Sequence, residues 1–169
     1  TDFDLSQHEQ FSGKKLRYFD AEANESYIPY VVETSIGLDR LFLLVMSESL
    51  KEEVVNGDTR TVLKIPPALA PIKCAILPLV KKDGLPELAQ KIYEDLRFDF
   101  NTFIEDKDSI GKRYRRMDAI GTPFCVTVDH ESLTQNDVTI RFRDTMEQKR
   151  VSIDSLREII ENETSIKKL

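Results

Sequence analysis

Cys74-Ala-Ile-Leu-Pro-Leu-Val80, closed by Lys81-Lys82, is the stretch on which the fold turns. A run with no polar interruption, ended by charge, reads as a strand buried on both faces; a half-exposed strand would alternate. The next segment completes the unit. Gly84 and Pro86 open a helix, proline being suited to a first turn, and Leu85, Leu88, Ala89, Ile92 and Leu96 recur on one helical face. Residues 101–105 form a short strand candidate, residues 109–120 a helix, and residues 124–128 a second buried strand. Further on, Val138, Ile140 and Phe142 alternate with Thr139, Arg141 and Arg143, which puts two arginines on the polar face of one strand. Residues 150–153 supply the next strand, paired back as a hairpin. Asp154 can cap a last amphipathic helix through Leu156, Ile159 and Ile160. Strands alternating with helices give an α/β fold in three layers, a mixed central sheet flanked by helices.

Upstream the pattern changes. Asn56-Gly57-Asp58 reads as a turn, and Pro66-Pro67 with Pro71 as a stiff connector. Before them, residues 15–19 and 27–33 read as strands joined by a polar link over 20–26, and residues 37–50 as a helix. These pieces make a partial antiparallel sheet, so the expected division is residues 1–60, a linker over 61–71, and residues 72–169. The first part carries Glu33-Thr-Ser-Ile-Gly-Leu-Asp-Arg40. Glycine at a strand-to-helix turn allows close backbone approach, and the helix start offers unpaired N–H groups. Arg40 comes next, among Leu38, Leu41, Phe42, Leu43, Leu44, Val45 and Met46. A guanidinium in such surroundings calls for an anion, either a carboxylate of the fold or a phosphate.

Composition bounds the function. The 169 residues carry a net charge of −6, which argues against non-specific nucleic-acid binding over the whole surface, DNA included. The distribution is uneven: residues 1–60 hold 12 acids and 6 bases, whereas residues 112–150 hold 8 bases and 6 acids. Lys112, Arg113, Arg115 and Arg116 fall within five positions around Tyr114. Such a cluster is either a solvated face or a surface for unpaired RNA bases and phosphates. Cys74 and Cys125 lie apart in apolar runs and read as buried free thiols. His8 and His130 stand away from both, so no zinc site is expected. No apolar run nears 18 residues and no leader is visible, which predicts a soluble, cytoplasmic protein without membrane contact. The chain opens at Thr1 without a methionine and is expected to be a piece of a longer protein.

The residues resemble a known family. Glu33-Thr-Ser-Ile-Gly-Leu-Asp-Arg40 is similar to motif 3 of class II aminoacyl-tRNA synthetases, in the version of the dimeric glycyl-tRNA synthetases. Asp2-Phe-Asp-Leu-Ser-Gln-His8, Tyr27-Ile-Pro-Tyr-Val31 and Ala68-Leu-Ala-Pro-Ile-Lys73 resemble the same enzymes. So do Gly111-Lys-Arg-Tyr-Arg-Arg116, Asp118-Ala-Ile-Gly-Thr-Pro-Phe124 and Arg143-Asp-Thr-Met-Glu-Gln148. The later half resembles the anticodon-binding domain shared by glycyl, histidyl, threonyl and prolyl enzymes. The resemblance implies a catalytic-domain end over 1–60 and an anticodon-binding domain over 72–169. It implies ATP-dependent attachment of glycine to tRNA-Gly by a homodimeric parent, with Mg²⁺ and no zinc. Arg40 would act in catalysis on ATP phosphates, beside Gly37, Leu38 and Asp39. Glu33 would hold the glycine ammonium, and Ser35, standing where most class II enzymes have glycine, would narrow the pocket against larger substrates, with Thr34, Ile36 and Gly37 completing its wall. Thr34 stands where relatives often carry proline. Arg113, Arg115, Arg116, Asp118, Arg141, Arg143 and Asp144 become the candidates for anticodon contact. Lacking the other two class II signatures, the chain alone is expected not to activate glycine. The rival is a non-catalytic anticodon-binding-like module of the polymerase-accessory or regulatory type, which would have no reason to keep Glu33, Ser35 and Arg40 together.

Overall fold

The computed structural model describes residues 1–168, and the chain divides into two compact units, Thr1–Leu41 and the portion from Phe42 onward. The first unit holds helix α1 (Phe3–Ser12), ended by Gly13 at φ 69°, and a hairpin of β1 (Tyr18–Asp20) and β2 (Glu25–Tyr27). Asp20 Oδ1 accepts from the amides of Glu22 and Ala23 at 2.9 and 3.1 Å. The polar link therefore closes into a tight turn instead of separating two long strands. Tyr18 and Tyr27 meet edge to face across it, 5.8 Å apart.

The strand expected over 15–19 is thus shifted to Tyr18–Asp20, and the one expected over 27–33 ends at Tyr27. A strand exists only by pairing. Among the described residues, the backbone hydrogen bond of this stretch is Val31 N to Thr1 O at 3.0 Å. The chain then runs without regular structure to α2 (Leu38–Ser49), which continues into the second unit.

In the second unit, β3 (Leu50–Val55) and β4 (Asp58–Leu63) pair across Asn56 and Gly57, at φ 52° and 87°. This is the two-residue turn whose twist matches a hairpin. The turn is visible in the sequence. The strands beside it are not, because Lys51, Glu52 and Glu53 carry little β preference. Residues 61–71, expected as a linker, begin inside β4, and Leu63, Ile65 and Ala70 are buried against Val45 and Met46.

The remaining elements are β5 (Cys74–Pro78), α3 (Leu85–Leu96), β6 (Thr102–Ile104), α4 (Ile110–Ala119), β7 (Phe124–Val128), α5 (Ser132–Gln135), β8 (Asp137–Phe142), β9 (Gln148–Ser152) and α6 (Leu156–Thr164). One five-stranded sheet runs in the order β6-β5-β7-β8-β9. Its first two pairings are parallel and its last two antiparallel, the mixed sheet read from the sequence. Alternation within the buried strands supplies both faces. Cys74, Ile76, Phe124, Val126, Val128, Val138 and Ile140 meet Leu85, Ala89, Ile92 and Leu96 of α3 and Leu156 and Ile160 of α6. Ala75, Leu77 and Cys125 turn the other way, onto Met117, Ile110 and Tyr114 of α4. Burial pushes the Cys125 thiol up to about 12 and the Cys74 thiol well above its ordinary range, so both are inert packing groups.

Gly121 closes the passage from α4 to β7 at φ 83°, and a Cβ there would stand 3.0 Å from Ile65 Cγ2 and Leu63 Cδ2. Gly121→Ala combines a disfavoured φ with a clash against β4. It is expected to cost more than about 1 kcal/mol in denaturant unfolding, relative to the wild-type chain.

Candidate nucleic-acid interface

Helix α4 carries the basic cluster, and its periodicity decides what each side chain can meet. Ile110, Tyr114 and Met117 face the sheet. Arg113, on the same side, is 1% exposed and donates from Nη1 to the carbonyls of Pro78 (2.7 Å) and Glu105 (3.1 Å) and from Nη2 to that of Leu79 (3.3 Å). It ties the ends of β5 and β6 to α4. Burial lowers its pKa below the usual guanidinium range, against the opposing pull of Glu105 and Asp106.

Asp118, one turn further, is wholly buried. Arg141 of β8 donates to it twice, at 2.8 and 3.0 Å, and Arg60 of β4 donates from Nε at 3.0 Å. Arg60 is itself enclosed, bonded also to Glu53 at 3.1 Å and to the carbonyl of Arg143. Arg141 lies 4.8 Å from the Tyr114 ring centre, and the Tyr114 hydroxyl shares a 2.6 Å hydrogen bond with Thr127. Arg143 donates to the carbonyls of Gly121 and Ile65, each at 2.8 Å, and pairs with the half-exposed Asp144.

Four of the seven anticodon candidates are therefore committed to the fold. Arg113, Asp118, Arg141 and Arg143 are buried and bonded inside the protein, Arg113 through Nη1 and Nη2 while its Nε has no partner among the described residues, and none can meet an RNA base in this arrangement. The face of β8 that reads as polar is covered by α4 and the β3–β4 hairpin, so its arginines are interior. Arg115, Arg116 and Asp144 remain within reach of solvent. Arg116 is held by Glu105 at 2.7 Å, Asp108 at 2.9 Å and the carbonyl of Lys107 at 2.9 Å. Arg115 has no such partner among the described residues.

Glu33, Thr34, Ser35, Ile36, Gly37, Leu38, Asp39 and Arg40 are all exposed. They lie consecutively along the irregular stretch and first turn of α2, with Arg40 folded back near Gly37 and the Leu41 amide donating to the Gly37 carbonyl at 3.0 Å. The carboxylate of the fold that Arg40 could have met is not found among the described residues, and Leu38, Leu41, Phe42, Leu43 and Leu44 around it are exposed as well. Among the described residues, Arg40 and Arg115 are the two arginines with no carboxylate, carbonyl or aromatic ring against the guanidinium. Sequence reading missed Arg60 and Glu53. The alternation of Arg60 and Val62 with Thr59 and Thr61 was the available signal.

The second unit is thus a three-layer α/β domain whose charged helix keeps its inner arginines for structure and turns the rest outward. A crystal structure of prolyl-tRNA synthetase from Cryptosporidium parvum shares this fold, with a TM-score of 0.55 at 20% identity over 60% of this chain and 23% of that one. Residues 73–163 match the anticodon binding domain family, and the chain belongs to it. Over 95% of its length it is 51% identical to glycine–tRNA ligases of Chlorobaculum tepidum and Borrelia hermsii, covering 34% and 37% of those proteins. The chain spans about a third of the curated relatives it matches. Among the described residues, no helix is long and apolar enough to cross a membrane.

Removing the Asp118 carboxylate would strand two buried guanidinium groups. Asp118→Ala is expected to cost about 3–5 kcal/mol in urea unfolding. Asp144→Ala, at an exposed partner of Arg143 that keeps its two carbonyls, is expected to cost under about 1 kcal/mol in the same assay.

Proposed function

We propose that this chain is part of a glycine–tRNA ligase: the end of the catalytic domain over residues 1–60, a connector over 61–71 and an anticodon-binding domain over 72–169. Half-identity with glycine–tRNA ligases over 95% of the chain, motif 3 included, is the observation that carries the reading. The hairpin residues up to Arg60 then belong by descent to the first part while docking on the second. The parent ligase would be a cytoplasmic homodimer joining glycine to tRNA-Gly in a reaction driven by ATP.

In that reaction the glycine carboxylate attacks the α-phosphate of ATP and pyrophosphate leaves; the glycyl group then passes to the tRNA. The carboxylate is already ionised at neutral pH, so the attack needs no general base. Charge develops on phosphoryl oxygens, which Arg40 is suited to meet as a guanidinium left without an internal partner. Mg²⁺ would shield the same oxygens, and no residue of this chain is assigned to hold it. Glu33 would receive the glycine ammonium. Ser35 would crowd the α-carbon and turn larger amino acids away by collision, which is the effective way to select the smallest substrate. Gly37, Leu38 and Asp39 would lie beside the nucleotide, and Thr34 and Ile36 would complete the wall. Arg115, Arg116 and Asp144 are the remaining candidates for tRNA contact.

Binding of the chain to in-vitro transcribed glycine tRNA, against a transcript with a changed anticodon, tests the reading. Salt-sensitive binding that weakens with the changed anticodon is expected. Equal binding to both would contradict anticodon recognition. The chain alone is expected to show no glycine-dependent exchange of pyrophosphate into ATP, and measurable exchange would contradict the proposed division of labour.

A further inference from the structure

Asp58, Thr59 and Thr61 of the β3–β4 hairpin and Arg115, Arg116 and Ala119 of α4 line a groove of about 520 Å³. Two of its cations are already neutralised: Arg116 by Glu105 and Asp108, and the underlying Arg60 by Asp118 and Glu53. Arg115 is not. Its Nη1 is buried and has no hydrogen-bond partner among the described residues. A buried donor without an acceptor costs about as much as a lost hydrogen bond, and here a positive charge goes unanswered as well. A water molecule could accept the hydrogen bond but would leave the charge uncompensated. Asp58, the groove's one carboxylate among the described residues, is exposed and makes no ion pair with Arg115.

We propose that this groove seats one phosphodiester of the RNA backbone, with Arg115 as its cation. The inference rests on the reading of the chain as a tRNA-binding protein and names what one of its candidate residues holds. Recognition of a guanine edge needs both arms of a guanidinium presented in one free plane. With Nη1 enclosed, Arg115 cannot offer that fork outward, whereas its charge and its remaining N–H groups on the groove lining can meet a tetrahedral anion seated there. Thr59 and Thr61, exposed along β4, supply further hydroxyl donors. Lys112, exposed three residues before Arg115, stands on the same stretch of helix surface and extends the positive track. A contact of this kind positions the RNA without reading its sequence.

The test uses the full chain, Arg115→Ala and Arg115→Lys, with glycine tRNA and its changed-anticodon partner across a salt series. Arg115→Ala should weaken both RNAs by a similar factor, about tenfold, and make the salt slope shallower by about one, while the preference between the RNAs is unchanged. Arg115→Lys should keep the slope. Arg115 makes no internal bond among the described residues and leaves a buried donor unpaired, so the thermal melt of Arg115→Ala should lie no lower than that of the wild type. Unaltered affinity and slope in Arg115→Ala would overturn the seat while leaving the anticodon reading intact; loss of the preference would instead make Arg115 a base reader and also overturn it. If the wild-type chain shows no preference or no RNA binding, the anticodon reading fails, and titration with inorganic phosphate decides the seat. A shift of the Arg115 Nε–Hε resonance would then uphold it, and a static resonance would overturn it.

Discussion

A single buried carboxylate holds the second unit together. Asp118 has no exposed surface and accepts from Arg141 on one side and Arg60 on the other. Removing three charges from water is costly, and their attraction offsets that cost only with close geometry and every remaining donor satisfied. Both conditions hold: Arg141 is bidentate, and the spare donors of Arg60 reach Glu53 and the Arg143 carbonyl. The network joins three parts of the chain that are remote in sequence, the β3–β4 hairpin, helix α4 and strand β8. Arg113 and Arg143 then pin the same helix and its exit loop to strand ends and to Ile65. Helix α4 is fixed in rotation as a result, and that fixes which of its basic residues face out.

Much of the fold was legible because it rests on periodicity. The unbroken run at 74–80 and its counterpart at 124–128 became β5 and β7 at the centre of the sheet, and the spacing of Leu85, Ala89, Ile92 and Leu96 became the buried face of α3. The alternation at Val138–Phe142 gave β8 and its hairpin partner. Legibility failed where structure depends on what lies opposite. Residues 28–33 have strand-like composition and, among the described residues, no neighbouring strand to pair with. The hairpin at 50–63 is too charged to announce itself, yet Arg60 makes it a fixed part of the unit.

The site was harder to read for the same reason. Arginines alternating with apolar residues look solvent-facing in one strand considered alone, and only the tertiary arrangement shows the other face of β8 to be covered. Four of the residues picked out for RNA are consequently scaffold. The local basic cluster is less exposed than it reads, since Arg116 is paired with Glu105 and Asp108 and Arg113 is tied to backbone carbonyls. What survives is sparse, the exposed Lys112 and the unpartnered Arg115 on α4, with Arg40 in the first unit as the other unpartnered guanidinium among the described residues. In both places an arginine without an internal anion coincides with a segment for which a phosphate ligand is proposed.

Native-state hydrogen exchange on the wild-type chain and on Arg60→Met tests most directly whether the Asp118 network locks the hairpin to the domain. Methionine keeps much of the bulk and removes the charge, leaving Asp118 with Arg141. The account predicts that amides of β3 and β4 lose protection while those of β5 and β7 keep theirs, a local opening confined to the hairpin. Unchanged protection in β3 and β4 would contradict it, because the hairpin would then be held by its apolar contacts alone.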